Sequence, residues 1–267
     1  SAAGGAEMIL GVLLGALPAE IRLTVVAVDA AVGRWMVGER RGATVRVVEP
    51  VRDRFDVNGM IRHRRLFASL RPDVVQFNLS MMASCQWPMA AALTVRGLRA
   101  VAVENSPVAV WSPTSRRLKQ WTSSRLAGHV AVGEATAREV ERSGGLPSGS
   151  VATIYHGVPD VPTIAPREPG GGRWLINVAR HDPVKGIDVL LEAMTLLPED
   201  VGLVQVGVGS GTAAIRDLHQ RLGLGDRVRF RDLPWDTRAA DLIAGYDAFV
   251  LSSRLEGLPV TIMEAML

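Results

Sequence analysis

Short β-branched runs alternate with longer amphipathic segments along the whole chain, and this alternation constrains the fold most strongly. The short runs predict strands at 21–28, 44–49, 73–78, 99–103, 129–132, 151–155, 174–179, 202–206, 228–231 and 248–252. The longer segments predict helices at 6–17, 59–70, 87–96, 115–126, 135–142, 186–197, 212–222, 237–245 and from 259 onward. Strands and helices in alternation are typical of βαβ units, so we predict an α/β protein with parallel sheets.

A segment rich in proline and glycine, residues 159–172, divides the chain into two halves with the same βα order. We therefore predict an N-terminal domain over 1–158 and a C-terminal domain over 173–267, joined by that segment as a linker. Two α/β halves favour ligand binding in a cleft between them.

Composition excludes several classes of protein. A net charge of +3 is too small to indicate a nucleic-acid partner by itself. The single cysteine, Cys85, excludes an internal disulfide and a zinc site with several cysteines, and it favours the cytoplasm. The five histidines lack metal-ligand spacing, so we expect no bound metal. The longest apolar run, 8–17, is shorter than the roughly 20 residues of a membrane-spanning helix.

Lysine is rare in this chain: of the 30 cationic residues, only Lys119 and Lys185 are lysines. Arg180 follows the predicted strand 174–179, and Lys185 stands five residues later, where a helix begins. The carboxyl ends of strands face the ligand crevice in open α/β sheets. An arginine and a lysine there suit a diphosphate, and the alternative is that both are ordinary surface residues.

Two glutamates mark the last segment, Glu256 in a loop and Glu264 inside the final helix. They could be a hydrolase pair, acceptors of hydrogen bonds from hydroxyl groups, or solvated surface. The apolar neighbours of Glu264 disfavour the surface alternative. Gly257 permits a ligand to approach the backbone, and the first turn of the helix that follows would offer N–H groups to phosphate.

Two glycine-rich turns are further candidates for phosphate contact. Gly207 and Gly209 follow a predicted strand, and Gly4 and Gly5 precede the first predicted helix. Tight turns need glycine in any case, so the first turn alone indicates little. Its spacing departs from the dinucleotide fingerprint, which leaves an NAD-dependent enzyme as a minor alternative. The opening glycines fit a flexible terminus equally well.

The stretch 111–125 combines two tryptophans with Arg116, Arg117, Lys119 and Arg125. Such a stretch can contact an anionic membrane. A surface helix is the interpretation that we favour.

Taken together and in this order, these segments resemble the family 4 glycosyltransferases, which have the GT-B fold. Residues 4–7 are similar to the family's glycine loop, 73–75 to its D-V-V strand, and 130–136 and 154–159 to its strand exit and crossover. In the second half the matching features are Arg180 with Lys185-Gly186, the glycine turn 207–211, residues 226–230, and the spacing of Glu256 and Glu264.

The resemblance implies two Rossmann-like domains facing a cleft and a transferase that retains anomeric configuration without a bound metal. Its donor would be a UDP- or GDP-linked sugar, and no other cofactor is expected. The implied roles are diphosphate contact for Arg180 and Lys185, ribose contact for Glu264 and sugar contact for Glu256. Gly257 and Leu258 would offer N–H groups to phosphate, and Leu233 with Asp232 would lie beside the base.

Departures from the family concentrate on the acceptor side. Glu104 stands where histidine is frequent, so its catalytic role and the acceptor are open: a glycan, a lipid-linked molecule or a small molecule, in cell-envelope or natural-product glycosylation. We expect a cytoplasmic location, with peripheral contact at the inner membrane face as an option, and no nucleic acid. A non-catalytic nucleotide-sugar-binding homologue is the alternative function. Family elements before the glycine loop and after Glu264 are not in this sequence, so we expect the chain alone to be a poor enzyme.

Overall fold

The structure is a computed structural model that describes residues 4–38, 40–108, 111–160, 172–207, 211–232 and 239–267. These residues form two compact units, one built from residues 6–157 and the other mainly from residues 158–267. Most of the predicted linker, residues 161–171, lies outside the described residues.

The first unit alternates helices and strands, as the sequence predicts. Its elements are α1 (Gly5–Ala16), β1 (Thr24–Ala27), α2 (Ala30–Val37), β2 (Thr44–Val47), α3 (Val57–Leu70), β3 (Val74–Leu79), α4 (Gln86–Leu93), β4 (Arg99–Glu104), α5 (Pro113–Ser123), β5 (Gly128–Ala131), α6 (Glu134–Gly144) and β6 (Ala152–Thr153). β1 pairs with β2, and a second sheet has the order β3-β4-β5-β6, with parallel pairing throughout. Buried Leu79, Met89 and Ala102 pack between this sheet and its helices.

The second unit has a four-stranded parallel sheet in the order β10-β7-β8-β9. Its elements are β7 (Arg173–Val178), α7 (Ile187–Met194), β8 (Val201–Val206), α8 (Ala213–Arg221), β9 (Val228–Arg231), α9 (Ala240–Ile243), β10 (Ala248–Phe249) and α10 (Val260–Ala265). Every residue of β8 is buried, and apolar clusters lie on both of its faces. Burial on both faces is what a parallel sheet covered by helices requires.

The apolar stripe of α7 illustrates how the sequence specifies the second unit. Ile187, Leu190, Leu191 and Met194 recur at helical spacing, and all four are buried against β8 and its neighbours. The helix ends at Met194, three residues before the predicted end, and Leu196 beyond it is exposed.

The predicted α/β class with parallel sheets is confirmed, and the main error is α2, which the sequence interpretation missed. Asp29 caps this helix by accepting hydrogen bonds from the backbone N–H groups of Ala31 and Val32, at 2.8 and 3.2 Å. Gly38, with φ of 54°, ends it after eight residues. The apolar run 21–28 leads directly into this short helix. The two-residue period of a strand and the 3.6-residue period of a helix are therefore difficult to separate here by pattern alone.

Candidate functional site

The carboxyl edge of the second sheet gathers most of the residues that the sequence singled out. Arg180 follows β7, Gly207 follows β8, and Glu256 lies in the loop after β10. Because parallel strands end at the same edge of a sheet, these loops are neighbours. Gly209 and Leu233, predicted for the same site, lie outside the described residues, whereas Asp232 directly follows β9.

An ion pair between Lys185 and Glu256 lies at this edge. Lys185 Nζ donates to Glu256 Oε1 at 2.7 Å, although the two residues are 71 positions apart in the chain. Both side chains are about four-fifths buried, with 21% and 23% of their surface exposed. The pair therefore holds a cation and a carboxylate side by side while leaving each within reach of a ligand.

A single turn of 3₁₀ helix, Pro183–Lys185, presents Lys185. Asp182 caps the turn by accepting a hydrogen bond from Val184 N–H at 3.0 Å. Gly186 follows in the left-handed region, with φ of 62°. A Cβ atom at Gly186 would lie 2.2 Å from the carbonyl oxygen of Ser252, so only glycine permits this approach of the two loops.

The loop after β10 is bonded to the segment that carries Lys185. Ser252 Oγ donates to Lys185 O at 2.9 Å, and Arg254 N–H donates to Val184 O at 2.7 Å. The Arg254 guanidinium also donates hydrogen bonds to both carboxylate oxygens of Asp188, at 2.8 and 2.7 Å. These hydrogen bonds hold the pKa of Asp188 below its usual value.

Sequence reasoning missed this connection between the two loops. Arg254 and Asp188 stand 66 positions apart. Neither residue belongs to a local pattern that marks it, so only the strand order brings them into contact.

Glu264 lies on α10 and is 4% exposed, which confirms that it is not a solvated surface residue. Gly257 and Leu258 connect Glu256 to this helix and are partly buried. Their contacts with phosphate, and the ribose contact of Glu264, stay predictions. Arg180 is exposed at the end of β7.

Gly207, directly after β8, approaches the loop after β7 very closely. A Cβ atom at Gly207 would lie 2.1 Å from the carbonyl oxygen of Ala179, so this position requires glycine. Near the start of the chain, Gly4 directly precedes α1 and Gly5 is the first residue of that helix. The phosphate contacts predicted for these glycines stay predictions.

In the first unit, Glu104 is the last residue of β4 and is fully buried. Its Oε1 accepts hydrogen bonds from Lys119 Nζ on α5 and from His129 Nε2 on β5, the latter at 2.8 Å. The register pairs Ala102 with His129 and Glu104 with Ala131, which places Glu104 and His129 on the same face of the sheet.

Lys119 corrects one part of the sequence interpretation. The stretch 111–125 does form a helix, and Trp121 is exposed, but Lys119 is only 1% exposed. Burial lowers the pKa of Lys119, and the Glu104 carboxylate opposes this shift. The lysine faces the sheet because it carries the counter-charge for Glu104.

The Glu104 carboxylate is thus neutralised from within its own unit. Its Oε2 has no hydrogen-bond partner within the described part of the chain. The acceptor-side role that the resemblance implies for Glu104 stays a prediction.

Membrane-spanning helices and metal-binding clusters are both absent from the described residues. None of their helices combines the length and the apolar composition needed to cross a membrane. No group of three or more His, Cys, Asp or Glu side chains among them is arranged to hold a metal ion.

Two α/β units with parallel sheets are the architecture of the GT-B fold, and sequence profiles identify the family. The sequence profile of Glycosyltransferase Family 4 matches residues 3–160, and the profile described as Glycosyl transferases group 1 matches residues 165–267. The chain therefore belongs to Glycosyltransferase Family 4.

Solved structures agree with this fold. HepE from Anabaena, in complex with UDP-glucose, superposes with a TM-score of 0.76 at 20% identity, over 99% of this chain and 75% of HepE. WaaB, a lipopolysaccharide outer core galactosyltransferase, gives 0.68 at 16% identity, over 100% of this chain and 75% of WaaB. A glycosyltransferase from Rickettsia africae gives 0.66 at 13% identity, over 93% and 68% of the two chains. No curated protein matches the sequence.

We predict that Lys119→Met destabilises the first unit by about 3–5 kcal/mol, because it leaves a buried carboxylate without its cation. The double variant Lys119→Met/Glu104→Gln should recover most of that loss, since it removes both charges. Urea unfolding followed by circular dichroism measures both effects.

Arg142→Met is the matched control, because the Arg142–Glu139 pair on α6 is solvent-exposed. It should cost less than about 1 kcal/mol. Equal losses in the Lys119 single and double variants would contradict the assignment of the buried pair.

Proposed function

We propose that this protein transfers a sugar from a nucleotide diphosphate sugar to a hydroxyl acceptor, with retention of configuration and without a bound metal. The observation that carries the proposal is the Lys185–Glu256 pair at the carboxyl edge of the second sheet. A cation next to a carboxylate is suited to a donor that presents a phosphate next to a sugar hydroxyl. Family membership favours this reading over an NAD-dependent enzyme.

The cations would stabilise the leaving group. When the bond to the sugar breaks, negative charge builds up on the nucleoside diphosphate, and fixed cations lower the free energy of that transition state. Arg180 lies five residues before Lys185 in the chain, and it is exposed to solvent. An arginine fork and a lysine point charge can together contact two phosphates.

The two carboxylates would divide the remaining contacts. Glu256 is beside the lysine and partly exposed, so we assign it to hydroxyl groups of the transferred sugar. Glu264 is buried on the helix that follows, so we assign it to the ribose hydroxyl groups. Ionised carboxylates accept hydrogen bonds from both hydroxyls of a diol.

UDP is the first nucleotide to test, because solved structures of HepE contain UDP, or UDP-glucose. GDP is the second. The donor sugar and the base are otherwise open.

A groove in the first unit is our candidate for acceptor binding. It has a volume of about 300 Å³ and lies among the loops that follow β2, β3 and β4. Phe55 and Trp87 contribute aromatic surface, and Ser112 and Thr114 contribute hydroxyl groups. Phe55 is 74% exposed, with the Arg54 guanidinium 4.7 Å from its ring centroid. Exposed rings next to hydrogen-bonding groups suit the apolar and polar faces of a sugar.

We predict that the protein transfers the sugar of UDP-glucose, UDP-galactose or GDP-mannose to the hydroxyl group of octyl β-glucoside, or to water in its absence, with release of UDP or GDP. The reaction should proceed in the presence of EDTA. Arg180→Ala and Lys185→Ala should each slow turnover by raising its activation free energy by about 2–4 kcal/mol, the contribution of one preorganised charge partner. Coupled release of the diphosphate measures the rate, and proton NMR of the product anomer tests retention.

Arg173→Ala is the matched control, since Arg173 lies at the opposite end of β7 and pairs with Asp200. It should keep the wild-type rate. Nucleotide binding without any release would instead indicate the non-catalytic homologue. Wild-type turnover in both site variants would contradict the role of the cations.

The carboxylates give a second prediction. Glu264→Gln should weaken UDP binding by about tenfold, because the ribose loses a charged acceptor. Glu256→Gln should keep the affinity for UDP within about twofold of the wild type yet lower sugar transfer, because Glu256 is assigned to the transferred sugar, which UDP lacks. Isothermal titration calorimetry with UDP separates the two, with Glu192→Gln on the exposed face of α7 as the control. An equal loss of affinity in both variants would rule out this division of roles.

The groove gives a third prediction. Octyl β-glucoside and octyl β-galactoside, used as acceptor probes, should bind wild-type protein in saturation-transfer NMR. Phe55→Ala should weaken that binding by about fivefold, the value of one aromatic contact. Trp121→Ala is the control, because Trp121 is also exposed beneath an arginine but lies outside the groove. If Phe55→Ala binds both probes like the wild type, the groove is not the acceptor site.

A further inference from the structure

We propose that His181 is a positioning residue that ties the loop after β7 to Gly211, which precedes α8, and that it does so only as a neutral imidazole. His181 stands between Arg180 and Lys185 in the chain and contacts Gln205 and Gly211. The effect that we expect on donor binding rests on the proposed function, whereas the contact of His181 with Gln205 and Gly211 does not.

The orientation of Gln205 is the first step. Gln205 lies on β8 and is fully buried. Its amide nitrogen donates to Ala179 O at 2.9 Å and to Val206 O at 3.2 Å. Both partners are carbonyl oxygens, which only accept, so the amide nitrogen must face them. The amide oxygen is therefore the atom that faces His181.

This orientation fixes the protonation of the imidazole. Gln205 Oε1 can only accept, so His181 Nε2 must carry the hydrogen. The other ring nitrogen, Nδ1, lies 3.0 Å from the backbone nitrogen of Gly211. An N–H group needs an acceptor, and Nδ1 can accept only when it carries no proton. Both contacts of His181 are satisfied together in one neutral tautomer.

The contact fastens two loops of the proposed donor site. The imidazole packs edge-on against Phe230 of β9, with ring centroids 6.0 Å apart. Gly211 is held through its N–H group by His181 and through its carbonyl oxygen by Arg216 Nε at 3.1 Å. His181 therefore joins the ends of β7, β8 and β9 at the edge where Arg180 emerges.

Acidification should release Gly211 from His181. A proton on Nδ1 replaces the acceptor with a donor, and two donors then face each other. The elements around His181 carry several charged or titratable groups: Arg180 and Asp182 in the loop after β7, Arg216, Asp217, His219 and Arg221 on α8, and Arg229 and Arg231 on β9.

Hydrogen exchange of the Gly211 amide tests the proposal without any ligand. Peptides covering 207–216 are followed by mass spectrometry at about pH 7.5 and about pH 5.5, corrected for the intrinsic exchange rates. Wild-type protection should fall by about fivefold at the lower pH, the value of one hydrogen bond. His181→Asn places an amide oxygen near the position of Nδ1, so its protection should not change with pH. His181→Gln keeps the contact with Gln205 alone and should be poorly protected at both values.

His219→Asn is the matched control. His219 packs against the same Phe230 ring, at 5.5 Å, but its Nε2 contacts Gly225 O instead of Gly211. This variant should retain the wild-type pH dependence. Equal corrected protection at both pH values in the wild type would overturn the proposal, and so would unchanged pH dependence in His181→Asn.

Calorimetry with UDP and GDP supplies the functional arm. On acidification, the nucleotide affinity of the wild type should fall by about fivefold more than the affinity of His181→Asn. Protonation of the nucleotide affects both proteins equally, so the comparison removes its contribution. If the exchange result holds but neither nucleotide binds, the proposed function fails and the role of His181 stands. If a nucleotide binds but exchange is independent of pH, the role of His181 fails and the proposed function stands.

Discussion

The ion pair between Lys185 and Glu256 joins the loops that follow two neighbouring strands, β7 and β10. Two further features of the described edge reinforce that junction. Gly186 allows the two backbones to approach, and Arg254 fastens one loop to Asp188 on the other side. Charges that would be costly to bury singly are tolerated there, because each lies against its partner.

Both lysines of this arginine-rich chain contact glutamate carboxylates, Lys185 with Glu256 and Lys119 with Glu104. By contrast, the arginines in the pairs with Glu49, Glu139 and Asp200 have exposed side chains. A guanidinium brings five N–H donors that must be satisfied, whereas an ammonium is compact. The buried position opposite Glu104 offers few acceptors, so it suits lysine. Rare lysines in such a composition point to enclosed charges.

The strand–helix alternation was enough to predict the parallel sheets, and the strand ends were enough to predict where Arg180 and Glu256 lie. Both features are local in the chain. The burial of Lys119 was not predictable from its helix, because Glu104 is on a strand 15 residues earlier. The pairs His181–Gln205 and Arg254–Asp188 span 24 and 66 residues, and neither leaves a periodic signal. Such contacts follow from strand order, which composition and spacing do not specify.

The order β10-β7-β8-β9 has a consequence for how the second unit folds. β7 and β8 are separated by one short helix, so they can pair early. The pairing of β7 with β10 is much more distant in the chain: Asn177 donates a hydrogen bond to Val250 O, 73 residues later. Closing a loop of that length costs entropy before any contact repays it, and such pairings form slowly. During synthesis, Lys185 leaves the ribosome long before Glu256 exists. The cation of the pair therefore spends that interval in water, and its site is completed only after the loop that follows β10 has been made.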